Sequence, residues 1–395
     1  MVPTVSAGEK KGKGEPYGRF MRCAGGYTAF VPAVLPPRVN WTPRLVQALS
    51  DADRAIGRLA GEGGSLPNPH VLLRPFVRRE AVLSSKIEGT QATLGELLAA
   101  EAGAAVERSP ADLIEVANYV VALEHGIRRL DALPLSLRLI RELHEKLMTG
   151  VRGNEATPGE FRRSQSWIGR PGSTLANATY VPPPPSEMNE SLGRFETFLH
   201  NRSLPPLVQA AMAHAHFEAI HPFLDGNGRV GRLLITLFLI ERRVLPTPLL
   251  YLSAFFEATR SEYYDRLLRV NTKSEWPEWL EYFFVGVARQ SEDALDRVTR
   301  INGLLADWRR KASNAGGKTA SALVELLGEN PFWTVKRAAA RLDVAYTTAE
   351  RAIEKLQSNG IVERTSDAKR DRVYRATKLL RILEEPARLT PVLEP

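Results

Sequence analysis

Apolar residues along the chain fall mostly at three- and four-residue steps, the spacing that lays one face of a helix against a core. Leu45, Val46, Leu49, Ala52, Ala55, Ile56 and Leu59 form the first such run, from residue 42 on. A Gly- and Pro-rich stretch at 61–69 breaks it. A second helix is expected through Phe76, Val77, Ala81, Val82 and Leu83, running toward Ser84-Ser-Lys-Ile-Glu88-Gly89. Further helices are expected at 94–106, 110–130, 135–147, 187–201 and 205–220, then at 233–241, around 261–268 and at 277–304. Strand signals are almost absent in the first part of the chain. Residues 167–185 are rich in Gly, Ser, Asn and Pro, and no helix survives such a composition. Within them, 178–181 could form one arm of a hairpin, which four prolines then forbid from extending. The pattern predicts a mostly α protein.

The pattern changes past residue 311. A Ser-Asn-Ala-Gly-Gly stretch reads as a linker. Short helices are expected at 319–327, 335–342 and 347–358, the last closed by Gly360 in a C-cap position. Residues 361–376 alternate apolar and polar positions around a polar turn, a hairpin signal. Three short helices and a β-wing make the plan of a winged helix-turn-helix. The expected organisation is an N-terminal arm (1–39), a helical region (40–125), a helical core (126–305), a linker (306–318) and the winged domain (319–385). No internal repeat interrupts it.

Composition narrows the class. The chain has 395 residues, enough for about two or three domains. Its single cysteine, Cys23, excludes an intrachain disulfide and a Cys-rich zinc module. No apolar run approaches the roughly 20 residues of a membrane span. The first residues carry lysines without an apolar stretch behind them, so no secretory signal is read. A reduced, cytoplasmic protein without a membrane partner is the expectation. The net charge of +8 favours anionic partners without choosing between nucleotides and nucleic acid.

The densest chemistry is His221-Pro-Phe223-Leu-Asp225-Gly226-Asn227-Gly228-Arg229-Val230-Gly231-Arg232. It lies between two expected helices. Its Asp-Gly-Asn-Gly turn can follow positive-φ paths that other residues resist. Small side chains let backbone N–H groups converge on an anion, and a following helix adds its positive end. Arg229 and Arg232, three apart, are expected to face the same anion. Two guanidiniums and a nest of amides suit a polyphosphate better than a carboxylate. Asp225 is placed to hold Mg²⁺, and His221 is a candidate general base. Three other readings compete. The three glycines satisfy GxGxxG, but a dinucleotide turn must follow a strand, and here a helix precedes it. His214, Glu218 and His221 share a helical face and could ligate zinc. A plain helix–turn–helix connection with surface arginines is the third.

This string resembles the signature of the Fic (Fido) family, His-x-Phe-x-Asp/Glu-Gly-Asn-Gly-Arg-x-x-Arg, at every defined position. The segments at 143–153, 158–169 and 178–185 also resemble that family, and the likeness covers about residues 40–300. The resemblance implies an all-α core with a short β-hairpin flap. It also implies transfer of AMP from ATP to a hydroxyl side chain of a target protein. Carried over, His221 would deprotonate the incoming Tyr, Thr or Ser hydroxyl, and Phe223 would anchor the loop in the core. Asp225 would ligate the Mg²⁺ that bridges the ATP phosphates. Gly226, Asn227 and Gly228 would form the anion nest, with Val230 and Gly231 in the same nucleotide-binding turn. Arg229 and Arg232 would hold the β/γ side. Asn177, Ala178, Thr179 and Tyr180 resemble the flap that clamps the target and covers the nucleotide, and Asn271 occupies a position that can face it. Tyr263 and Tyr264 are read either as core aromatics or as a wall for the base.

Ser84 to Glu88 and Gly89 fit the family's inhibitory pattern, Ser/Thr-x-x-x-Glu-Gly/Asn. A carboxylate reaching an arginine of the phosphate site would remove the γ-phosphate's partner. The alternative is an ordinary solvated glutamate at a helix end. The implied function is a self-inhibited protein adenylyltransferase acting on a protein target or on itself. Two rivals stand beside it: removal of AMP from a modified protein through Glu88, and a nucleotide-sensing transcription regulator. Residues 317–382 carry 13 Lys/Arg against 8 Asp/Glu. Tyr346, Thr347, Thr348 and Arg351 on the second helix, with Lys369, Arg370 and Arg372 on the wing, could contact DNA. Docking of a protein, or of a second copy as a homodimer, is the open alternative.

Overall fold

A computed structural model describes residues 16–64, 69–104, 106, 109–151, 157–170, 172–246, 248–314, 317–365 and 372–389. The body of the protein is helical: α1 (Pro43–Gly64), α2 (Pro69–Ile87), α3 (Leu94–Glu101), α4 (Pro110–Arg129), α5 (Leu137–Met148) and α6 (Pro185–Leu199). It continues through α7 (Pro206–Ile220), α8 (Asn227–Glu241), α9 (Ser253–Ala258), α10 (Arg260–Lys273) and α11 (Trp276–Asn314). The mostly α reading holds.

Helix α7 is the centre. Thirteen of its 15 residues are buried, and its sequence is apolar on every side, as a helix with no solvent face requires. Five alanines keep its girth small, so α6, α8, α10 and α11 can all approach it. Among its polar residues, the Gln209 amide donates to the Phe198 carbonyl at 2.6 Å, His214 is bonded at both ring nitrogens, and His216 stacks on Phe195. Around this axis, α5 presents Leu139, Ile140, Leu143 and Leu147 on one face, and the Ser136 hydroxyl caps its start by accepting the Leu139 N–H. Along the outside, α1 lies against α11.

The N-terminal region departs from the expected loose arm. Strands β1 (Gly18–Arg22) and β2 (Thr28–Pro32) form an antiparallel hairpin. The Phe30 N–H then donates to the Val181 carbonyl, tying the hairpin to the segment before α6. The apolar run Ala29-Phe-Val-Pro32 is buried on both faces here, so it shows none of the alternation that marks a half-exposed strand. Helix α3 is shorter than its apolar pattern suggests, because Gly103 turns the chain at φ +81°. Helix α8 begins at Asn227 rather than 233.

At the C-terminus come α12 (Lys318–Glu329), β3 (Phe332–Thr334), α13 (Val335–Leu342), α14 (Tyr346–Ser358), β4 (Glu363–Arg364), β5 (Val373–Arg375) and α15 (Thr377–Glu384). The strands make an antiparallel sheet in the order β3-β5-β4, with Tyr374 opposite both Trp333 and Arg364. The expected linker at 306–318 is a correction. Helix α11 runs through it to Asn314, because Trp308 and Ala312 are buried and Arg309 pairs with Glu325 of α12. The C-terminal helices also pack on α2 and α3. Arg74 pairs with Glu329 at 3.1 Å, the Asn330 amide donates to the Leu98 carbonyl, and Arg79 donates to the Glu385 carbonyl. Lys369 and Arg370 of the expected wing lie outside the described residues.

Candidate functional site

The loop between α7 and α8 is built to turn sharply. His221 caps α7 at φ +50°, with its N–H on the Phe217 carbonyl. Phe223 is fully buried and stacks on His144, ring centroids 3.7 Å apart. That histidine is held at both nitrogens, accepting the Gly159 N–H at Nδ1 and donating from Nε2 to the Asp225 carbonyl. Asn227 closes the loop from inside. Its Oδ1 accepts the Phe223 N–H at 2.8 Å, and its Nδ2 donates to the Phe223 carbonyl at 2.9 Å. Gly226 is the N-cap of α8 at φ +78°, and a Cβ there would stand 3.0 Å from the Met148 sulfur. Only glycine meets both demands at low cost.

Beside this loop opens a cleft of ≈ 800 Å³ lined by Glu88, Ile168, Gly169, Thr179, Tyr180, Glu218, His221, Gly228, Arg232, Tyr263, Tyr264 and Asn271, among others. The predicted glutamate reaches into it. Arg232 donates from Nη2 to Glu88 Oε1 at 2.7 Å and to the Ser84 carbonyl at 2.9 Å, and from Nε to the Ser84 hydroxyl at 2.8 Å. Burial alone would lower the Arg232 pKa, but the carboxylates of Glu88 and Glu218 outweigh it and raise the value, so the guanidinium stays charged. Gly228, in the first turn of α8, makes the contact possible, because a Cβ there would stand 2.3 Å from Glu88 Oε1.

Other expected groups land elsewhere. The two arginines do not face one anion. Arg229 is buried toward Asp225 at 3.5 Å and Glu115 at 3.7 Å, whereas Arg232 turns to Glu88 at 2.7 Å. Val230 is buried in the core, and its N–H is spent on the Gly226 carbonyl. Gly231 lies within α8, where it leaves room for Glu218. The Asp225 carboxylate is 59% exposed and accepts the Gly226 N–H. In the expected flap, pairing is limited to one bridge between Ile168 and Tyr180, since the adjoining prolines supply no donors. Thr179 and Tyr180 line the cleft, whereas Asn177 folds onto the Thr174 backbone in a turn beside Ala178. Asn271 lines the cleft, with its amide on the Leu267 carbonyl. Tyr263 is a core aromatic, bonded to His214 at 2.8 Å, while Tyr264 is 42% exposed at the cleft. The zinc reading fails. Both ring nitrogens of His214 are occupied, by the Gly231 carbonyl and Tyr263, and no cluster of three or more His, Cys, Asp or Glu suited to a metal occurs among the described residues.

His221 lines the cleft, with its Nδ1 buried. Burial pushes its pKa down to about 4, helped by the Arg162 guanidinium and opposed by the Glu88 carboxylate and a hydrogen bond to the Glu218 backbone. The imidazole is therefore neutral, and one of its two ring nitrogens carries a lone pair. Arg162 is itself buried on backbone carbonyls, donating to those of His221 at 2.9 Å, Ser164 at 3.1 Å and Pro183, and so fixes the His221 turn to the segment before α6.

Two family models match the chain: Fic/DOC family N-terminal at residues 46–128 and Fic/DOC family at residues 134–239. Residues 46–128 and 134–239 belong to the Fic family. The matches span α1 through α4 and α5 through α8, and leave the hairpin and the C-terminal helices outside. A Drosophila virilis protein named protein adenylyltransferase Fic is 32% identical over 166 residues, 40% of this chain and 31% of that protein. A relative of the same name from Drosophila persimilis is also 32% identical, over 29% of its length. The chain thus spans less than a third of these curated relatives. In solved structures, a Fic family protein from Desulfovibrio desulfuricans G20 shares the fold with a TM-score of 0.58 at 22% identity, over 87% of this chain and 98% of that one. A C. elegans Fic-1 fragment matches with a TM-score of 0.51 at 22% identity, over 65% and 75%.

Sequence reasoning missed Arg162, His144 and the site role of Ser84. Arg162 and His144 act through backbone and ring contacts that leave no spacing signature, and the Ser-x-x-x-Glu spacing marks Ser84 without showing that its hydroxyl and carbonyl hold Arg232. Asn227→Ala would leave the buried Phe223 N–H and carbonyl unpaired, at about 1–3 kcal/mol for each group. Denaturant unfolding of that Fic variant should show a stability loss of about 2–4 kcal/mol.

Proposed function

We propose that the chain transfers AMP from ATP to a hydroxyl of a protein side chain, and that Glu88 holds it inhibited. The observation that carries this reading is the Arg232–Glu88 pair in the cleft that also holds a neutral His221. In the reaction, the target hydroxyl gives its proton to His221 and its oxygen bonds to the α-phosphorus. The bond from that phosphorus to the bridging oxygen breaks, and pyrophosphate leaves. The first-turn N–H groups of α8 have no intrahelical carbonyl and suit phosphate oxygens. Arg232 would neutralise the β/γ side once freed.

The donor set fits Mg²⁺. That ion prefers one or two carboxylates together with phosphate oxygens and waters over an all-protein cage, and Asp225 offers one exposed carboxylate. When bound, the ion would offset phosphate charge. Target recognition falls to Ile168, Gly169 and Thr179 at the cleft edge. No helix among the described residues is long and apolar enough to cross a membrane.

Glu88→Gly removes the carboxylate and frees Arg232. With labelled ATP and Mg²⁺, labelling of the protein or of a lysate target should rise at least about tenfold. That is about 1.4 kcal/mol, just below the roughly 1.5–3 kcal/mol of a charged hydrogen bond. Adding His221→Ala to that variant should cut transfer by about 10²-fold, and adding Arg232→Ala should abolish it. An inactive Glu88→Gly would sink the inhibitory role. AMP release from a modified protein by wild type, lost in Glu88→Gly, would select the reverse reaction.

The C-terminal helices and sheet support a second reading, a winged helix-turn-helix that binds DNA. Tyr346, Thr347, Thr348 and Arg351 are all exposed at the start of α14, and Arg372 stands beside it, paired with Glu350. Affinity for duplex DNA should fall steeply with salt, about 0.9 counterion being released per neutralised phosphate. Arg351→Ala should lower both the affinity and that slope. An absence of binding at low salt would assign the module to protein docking.

A further inference from the structure

Glu218 is the unexplained group in the cleft. It stands on the last turn of α7, three residues before His221, and it lines the same cleft as Glu88, Gly228 and Arg232. Its Oε1 is buried and has no hydrogen-bond partner, and Arg232 Nη1 is likewise buried and unpartnered. The glycines of α8 locate the two carboxyls. A Cβ at Gly228 would stand 2.3 Å from Glu88 Oε1, and a Cβ at Gly231 would stand 2.3 Å from Glu218 Oε1. Residues three apart on a helix are neighbours on its surface, about 5–6 Å between Cβ positions. The two carboxyls therefore lie in sequence along one side of α8. A phosphate that displaced Glu88 from Arg232 would arrive beside Glu218.

We infer that Glu218 is a further binding residue of the cleft, which in its acid form donates a hydrogen bond to the polyphosphate held by Arg232. This rests on the adenylyl-transfer reading above. An ionised carboxylate in that place would compete for Arg232 and repel the phosphate. A carboxylic acid supplies an O–H donor at a site where the remaining lone pairs belong to the ligand.

The surroundings favour the acid. Burial pushes the Glu218 carboxyl up to about 8, with Arg232 opposing and the Glu88 carboxylate adding to the rise. The groups facing it are Arg232 on α8, Glu88 beyond the end of α2, Tyr263 and Tyr264 on α10, and His214 and His221 on its own side. Burial holds His214 down to about 3 and His221 down to about 4. It raises Tyr264 to about 12 and Tyr263 further, and Arg232 stays charged. Glu218 is thus the member of this set that changes charge between pH 7 and 9, while Glu80, also buried near the Arg232 charge and raised to about 7, titrates at the lower edge of that window. The acid is the binding form, so affinity is present below its pKa and is lost as the pH rises through it.

The test is calorimetric binding of Mg–ATP to full-length Glu88→Gly from pH 7 to 9, with and without Glu218→Gln. Affinity of Glu88→Gly should fall toward the limiting tenfold per pH unit above the titration. The double variant keeps a donor that does not ionise, so its affinity should stay level and exceed its parent's at least fivefold at pH 9. Level affinity in Glu88→Gly, or a parallel fall in the double variant, overturns the inference and leaves the adenylyl-transfer reading standing. Failure of Glu88→Gly to bind Mg–ATP at any pH overturns both. Should Glu218→Gln not fold, the infrared band of a protonated carboxyl decides, read in Glu88→Gly with Glu80→Gln added so that Glu218 is the buried acid beside Arg232. It should be present at pH 7, disappear as the pH rises and persist to higher pH with Mg–ATP bound, and its absence at pH 7 overturns the inference.

Discussion

Arg232 carries a full positive charge into the interior of a helical bundle, where an unpaired ion costs several kcal/mol. The surrounding elements are arranged to answer it. Ser84 gives two oxygens and Glu88 a third. Two further carboxyls stand nearby but are drawn toward neutrality by burial: Glu218, up to about 8, and Glu80, up to about 7. Glu80 is hydrogen-bonded by Tyr119 at 3.1 Å and by Ser253. One arginine therefore meets one fully exposed-to-cleft carboxylate instead of three. The charge balance leaves Glu88 as the anion that a phosphate would have to replace.

Helix α2 ties this balance to the rest of the molecule. Glu80, Ser84 and Glu88 follow at four-residue steps, so one side of the helix delivers all three groups toward α8. Gly89, at φ +104°, ends the helix directly behind Glu88. The same helix packs on α4, α9 and α12, and its Arg74 and Arg79 hold the C-terminal helices. Glu88 thus stands at the end of the element that joins the Fic core to the C-terminal helices.

The helical architecture was legible because amphipathic faces repeat along the chain, and the His221–Arg232 string was legible because its residue types are so restricted. Other features were not. The start of α8 at Asn227 was hidden by glycines, which read as loop although Gly228 and Gly231 serve close packing inside a helix. The β1–β2 hairpin was hidden because β2 is buried on both faces. The linker reading failed at Ser313 and Asn314, where local composition suggests a break but Trp308 and Ala312 hold the helix in the core. Arg229 shows the limit of spacing arguments: two arginines on one turn were pulled apart by different carboxylates. The Arg162 network lies beyond any pattern, since its partners are carbonyls that every residue carries.

The complete burial of α7 has a mechanical consequence. A shaft packed on every side at crystal-like density cannot shift without opening voids along its whole length. His221 at its tip, and α8 locked to it through Asn227 and Phe223, therefore form a fixed bed. Whatever changes between a blocked and an open cleft has to come from the rim, which here means the end of α2 and the strand-poor segment around Ile168. In the proposed reading the bed is a finished mould and Glu88 its removable stopper.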